Sequence, residues 1–188
     1  MDNRLTCKEH INYINSKIAR HTGILYKIRY NLPIKSRIDY YYAFIHPYLA
    51  YNTIIWGSTY LTHLQPLIRQ QKRTIRTIAN AGFIDHTEPL FKQHKILKVQ
   101  DLYNFQLGTY MYRALARGVF TTRPNTRTRG SLLDVQPSRH RITSTQHAVS
   151  YVAPKFWNTL PDDLRSINSY KRFKKCLKDY LLDQYSES

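Results

Sequence analysis

Residues Gln65–Ile78, QPLIRQQKRTIRTI, decide how the chain is read. At 100° per residue, Arg69, Lys72, Arg73 and Arg76 fall within an arc of about 100° on a helix, while Leu67, Gln71, Ile75 and Ile78 lie on the far side. The stretch therefore predicts an amphipathic helix whose apolar face packs inward and whose outer face is a single cationic stripe. No Asp or Glu stands four residues away to neutralise the stripe, so it reads as a surface for a polyanion. A plain solvated helix face is the competing interpretation.

The whole chain supports the polyanion reading. Its 29 Lys and Arg against 12 Asp and Glu leave +17 over 188 residues, an excess that repels itself and attracts nucleic acid first and anionic membrane surface second. The length suffices for one domain, or two small ones, with a true core. Cys7 and Cys176 are the only cysteines; far apart and without paired Cys/His spacing, they exclude a zinc finger and suit a reducing compartment. The opening MDNRLTCKEHINYI lacks the basic head and apolar run of a signal peptide, and no apolar run reaches the ~18 residues of a membrane span. The expectation is an intracellular protein of nucleus or cytoplasm.

Outward from the basic stretch, helical signals dominate. Thr6 and Glu9 form a capping-box pattern ahead of Ile11, Ile14, Ile18 and Leu25, with Gly23 a weak point in that helix. Pro33 is expected to open the next helix, whose apolar side is Ile38, Tyr41, Tyr42 and Ile45 and which Pro47 kinks or ends. Gly57 closes a short aromatic segment. Another helix is expected from Glu88-Pro89. Asp101 is then read as the N-cap of a long helix carrying Leu102, Phe105, Thr109, Tyr112 and Ala116 and ending at Gly118.

From Val119 to about Ser144 the periodicity is lost, and Thr, Ser, Pro and Arg dominate, as in a basic loop or an arm that orders on binding. Short strands, enough for a β-hairpin, are expected around Ala148–Val152. Ser169 caps a final helix with Tyr170, Phe173, Leu177 and Leu181 on one side and Lys171, Arg172, Lys174, Lys175 and Lys178 on the others. The fold class is thus mainly α: a helical bundle over 1–118, a basic loop over 119–145, and a C-terminal segment over 146–188.

Catalytic constellations are missing. Asp162-Asp163 is the one adjacent carboxylate pair, and its place after Pro161 fits a helix N-terminus better than a magnesium site. The eight His are dispersed, no glycine-rich phosphate loop occurs, and Cys7 with His10 lacks a third orienting group. Trp56 and Trp157 read as core anchors rather than stacking platforms.

Taken in order, LTCKEHI, INSKIARHTGILYKIRYNLP, YYAFIHPYLAYNTIIWGSTY, LQPLIRQQKRTIRTI, HTEPLFKQHKILKVQDLYNFQLGTYMYR and WNTLPDDLRSINSYKRFKKCLKDYLL resemble the region that follows the palm in reverse transcriptases of non-long-terminal-repeat (LINE-like, jockey-type) retrotransposons. The resemblance runs essentially end to end, with Cys7 standing where that family usually has Trp. It implies a thumb-like helical bundle and the region after it, without fingers, palm or endonuclease. The polymerase signature Tyr/Phe-x-Asp-Asp has no counterpart here.

The implied role is binding RNA, DNA or their hybrid, and packing against the palm and fingers of a parent polymerase. No membrane partner and no cofactor of the chain's own are implied, magnesium belonging to the parent enzyme, and the chain alone is expected to be inactive. Arg69, Lys72, Arg73 and Arg76 are the first candidates for phosphate contact. Arg127, Arg129, Arg139 and Arg141 of the loop are second, and Lys171, Arg172, Lys174 and Lys175 third. The alternative is a helical adaptor that binds a protein through its Tyr-rich surface.

Overall fold

The computed structural model describes residues 7–122, 133–136 and 148–185, and they are mainly helical, as the sequence predicts. Thr6 of the capping box, and Arg127, Arg129, Arg139 and Arg141 of the loop, lie outside the described residues. By contacts the chain clusters into two compact units. Unit 1 comprises residues 1–102 and 182–188, and unit 2 residues 103–181.

Unit 1 is built on two long helices, α1 (Lys8–Ile28) and α5 (Leu61–Ala79). The isoleucine spacing of α1 buries Ile11, Ile14, Ile18 and Leu25, and α5 answers with Leu64, Leu67, Ile75 and Ile78, all at most 4% exposed. Gly23 leaves α1 unbroken. Two buried threonines join the pair: Thr22 Oγ1 and Thr74 Oγ1 are 2.7 Å apart. One hydroxyl donates to the other, and the second donates to a carbonyl of its own helix, that of Ile18 standing 2.8 Å from Thr22 and that of Gln70 3.0 Å from Thr74. Hydroxyls buried at a helix contact must be satisfied there, so this link fixes the two helices in register.

Between them run α2 (Ile34–Tyr40), α3 (His46–Ala50) and α4 (Thr53–Trp56). Pro33 is the N-cap of α2, one position before the expected first turn. Residues Tyr41–Ile45 form a π-helical turn that leads directly into His46-Pro47. Proline lacks an amide hydrogen and its ring crowds the carbonyl four residues back, and widening the preceding turn is one way a helix accommodates it. The turn buries Tyr41 and Ile45 and leaves Tyr42 38% exposed. Gly57 is the C-cap of α4, where Trp56 is buried with its Nε1 donating to the Tyr51 carbonyl at 2.9 Å.

Helix α6 (Glu88–Gln93) begins where Glu88-Pro89 predicts, and α7 (Val99–Ala116) follows. Asp101 is not the N-cap of α7 but its third residue. Its carboxylate accepts from the hydroxyl of Tyr185 at 2.7 Å, and the same hydroxyl accepts from the Lys98 amide at 2.9 Å. Burial first, then the Asp101 charge, pushes the Tyr185 phenol well above its ordinary range. The tertiary partner took the carboxylate that local sequence assigned to a cap. The end of α7 is as expected: Gly118 has φ +68°, and Val119 donates to the Ala114 carbonyl at 2.9 Å, the closing bond of a glycine-terminated helix.

In unit 2 the expected strands around Ala148–Val152 are absent. These residues start α8 (Val149–Thr159) instead. The reason is a longer period than a five-residue window reveals, since Ala153, Trp157 and Leu160 recur at helical spacing and are buried. The only β pairing among the described residues is a single antiparallel bridge between Thr122 and Val135. Asn158 of α8 holds the same Val135, accepting from its amide and donating to its carbonyl, both at 2.9 Å.

A short helix α9 (Asp162–Arg165) and the final α10 (Tyr170–Asp183) complete the chain. Asp162 of the carboxylate pair is bound to Arg165, which also reaches Asp134 at 2.7 Å. In α10, Phe173, Leu177 and Leu181 are buried as their spacing predicts. Phe173 stacks on Tyr112 of α7 with centroids 4.7 Å apart. The approach is tight: a Cβ on Gly108 would stand 2.6 Å from Leu177 Cδ2. Because Leu177 is itself fully buried it cannot swing away, so Gly108→Val is expected to cost about 2 kcal/mol by overpacking. Urea unfolding checks this, and an unchanged midpoint would refute it.

Candidate nucleic-acid interface

The four first-rank cations sit as the sequence places them. Leu67, Gln71, Ile75 and Ile78 are buried on one side of α5, while Arg69 and Arg73 are exposed and Lys72 and Arg76 half-buried on the other. Together they line a groove of about 960 Å³. Its second wall is the end of α1, with Tyr26 and Arg29, and its mouth is the turn after α5, with Ala81, Gly82 and Phe83.

This second wall follows from the threonine link. Tyr26 and Arg29 lie one and two turns beyond Thr22, so the register set by Thr22 and Thr74 carries them alongside the cationic face of α5. Arg29 brings the groove to five cations. Its guanidinium lies 4.1 Å from the Tyr26 ring centre and 4.6 Å from that of Tyr30, and it donates to the Tyr30 hydroxyl at 2.6 Å. Cation–aromatic contacts hold such a side chain in place without neutralising it.

Among the described residues, none of the five forms an ion pair with a carboxylate; the ion pairs there join Lys98 to Glu88, and Arg165 to Asp134 and Asp162. Arg76 donates through Nε to the backbone carbonyl of Asp85 at 3.0 Å and keeps its charge. Five like charges in one concavity raise the local potential and draw in anions. Spaced along a groove rather than converging on a point, they match a chain of phosphates better than a single small anion.

The sequence reading omitted Arg29, Tyr26 and Phe83. The signal available was weak: Tyr26 and Arg29 stand at an ordinary helix end, and only the pairing of α1 with α5 brings them to the stripe. The third-rank cations, Lys171, Arg172, Lys174 and Lys175, are all exposed on α10 of unit 2. Lys174 lies 5.9 Å from the Phe105 ring centre. They form a solvated basic face of α10.

No group of three or more metal-ligating side chains occurs among the described residues, and no described helix is long and apolar enough to cross a membrane. No protein-family model, curated protein or solved structure matches the chain.

Proposed function

We propose that this chain is a nucleic-acid-binding, thumb-like region of a retrotransposon reverse transcriptase, an RNA-directed DNA polymerase, acting without a catalytic centre of its own. The observation that carries the proposal is the groove of unit 1, in which Arg29, Arg69, Lys72, Arg73 and Arg76 stand together without carboxylate partners among the described residues. Such a surface follows the sugar-phosphate backbone and positions it, with little sequence reading. The ordered resemblance along the chain supports the same assignment, and the partner is RNA, DNA or an RNA–DNA hybrid.

The adaptor reading has exposed aromatic side chains in its favour, Tyr51 at 65% and Tyr60 at 56% among them. It predicts a protein complex insensitive to salt, whereas phosphate binding predicts the reverse.

The test is binding of the full chain to a labelled RNA–DNA hybrid across a salt series. Affinity is expected to fall steeply with salt. Changing Arg69, Lys72, Arg73 and Arg76 to Gln is expected to make the log–log slope shallower by about 3.6, since each phosphate contact contributes about 0.9. A slope that the four substitutions leave unchanged refutes the assignment of the groove.

A further inference from the structure

A grip on a duplex backbone needs cations alone, yet this groove also presents aromatic rings. Phe83 and Ile84 are 90% and 89% exposed. Side chains so bare belong to no core, but the turn that carries them is firmly held. Asn80 caps α5 at φ +56°, and the Ala81 amide returns to the Arg76 carbonyl at 2.9 Å. The Gly82 amide donates to Asp85 Oδ2 at 2.6 Å, and Arg76 itself braces the Asp85 carbonyl. Gly82 suits the turn, because a Cβ there would press on the Asp85 carboxylate at 3.3 Å.

Phe83 is therefore an exposed ring on a fixed support, a geometry that loses little freedom on binding. On the other wall Tyr26 is 52% exposed, with the Arg29 guanidinium beside it. The cations of α5 line the groove together with these two rings.

Rings beside a row of cations make the usual composition of a single-strand channel, where phosphates meet charge and bases meet flat faces. In a duplex the base faces are stacked inside and offer nothing to Phe83 or Tyr26. We infer that the groove takes an unpaired segment of nucleic acid, its phosphates on the five cations and its bases against Phe83 and Tyr26. The inference rests on the phosphate-binding reading of the same groove and specifies the strand that occupies it.

The full chain is titrated with two labelled RNA–DNA hybrids, one blunt and one with a short single-stranded overhang. The overhang is expected to raise affinity about tenfold, the contribution of one well-stacked base. Phe83→Ala is expected to remove most of that advantage while leaving blunt-hybrid affinity and its salt slope intact. Phe83 is 90% exposed, so the fold is not at stake; a circular-dichroism melt verifies it.

Equal affinity for the two hybrids in the parent chain overturns the inference, as does a Phe83→Ala variant that keeps the overhang advantage or weakens both hybrids alike. A salt slope on the overhang hybrid unmoved by the four Gln substitutions overturns the phosphate reading, and this inference with it. The two failures are thus separable.

Discussion

Gln71→Ala is expected to cost about 4 kcal/mol of folding stability. Gln71 is 1% exposed, on the face of α5 opposite the cations. Its Nε2 donates to the Leu97 carbonyl at 2.9 Å and to the Tyr41 hydroxyl at 3.1 Å, and its Oε1 accepts from the Val99 amide at 3.0 Å. Burial pushes the Tyr41 phenol far above its ordinary range, so this hydroxyl stays protonated. One side chain thus joins the π-turn, the segment before α7 and α5.

Truncation leaves a carbonyl and an amide without partners in the core, at about 1–3 kcal/mol each, and opens a cavity besides. Against the roughly 5–15 kcal/mol that holds a typical domain together, this is a large fraction. Gln71→Met separates the two effects, because it keeps the volume and removes the hydrogen bonds. It is expected to remain about 3 kcal/mol less stable than the parent in urea unfolding followed by circular dichroism. Parent-like stability for the Met variant would mean the network contributes little. The consequence reaches function, since these bonds set the rotation of α5 and with it the direction of the cationic stripe.

The second large effect is expected in unit 2, where Trp157→Ala should cost about 4 kcal/mol. Trp157 is 3% exposed, packs on Phe173 with ring centres 5.6 Å apart, and donates from Nε1 to the Leu133 carbonyl at 3.3 Å. With its neighbour Asn158 it holds residues Leu133 and Val135 on α8, so the variant removes an anchor of that segment as well as a core side chain. Trp157→Phe keeps most of the packing and is expected to cost about half as much. Circular dichroism against urea measures both variants. Because Trp56 is then the sole remaining Trp, its fluorescence follows unit 1 in the same titration. A Trp157→Ala midpoint equal to the parent's would show that Trp157 is not the anchor described.

Where sequence reasoning succeeded, the deciding physics was local. The isoleucines of α1, the two faces of α5, the glycine end of α7 and the buried row of α10 all express a 3.6-residue period, which needs no knowledge of a partner. The errors came where a partner competes. Asp101 has the chemistry of an N-cap, but the Tyr185 hydroxyl, 84 residues away, claims its carboxylate. Ala148–Val152 has strand composition over five residues, yet the buried positions that follow continue as a helix. The second-rank arginines, Arg127, Arg129, Arg139 and Arg141, lie outside the described residues, and their role rests on composition alone.

The candidate site divides along the same line. The sequence alone determined that the chain is mainly helical, strongly basic, and equipped with one clean cationic stripe on α5, because periodicity and charge are properties of a single segment. Tertiary structure alone decided that the stripe is the floor of a groove. The packing of α1 on α5, with the Thr22–Thr74 contact within it, brings Arg29 and Tyr26 alongside it, and the Asp85 turn holds Phe83 at its mouth. Those placements depend on contacts between residues distant in the chain, whose cost in chain entropy is met by burial that no local pattern records.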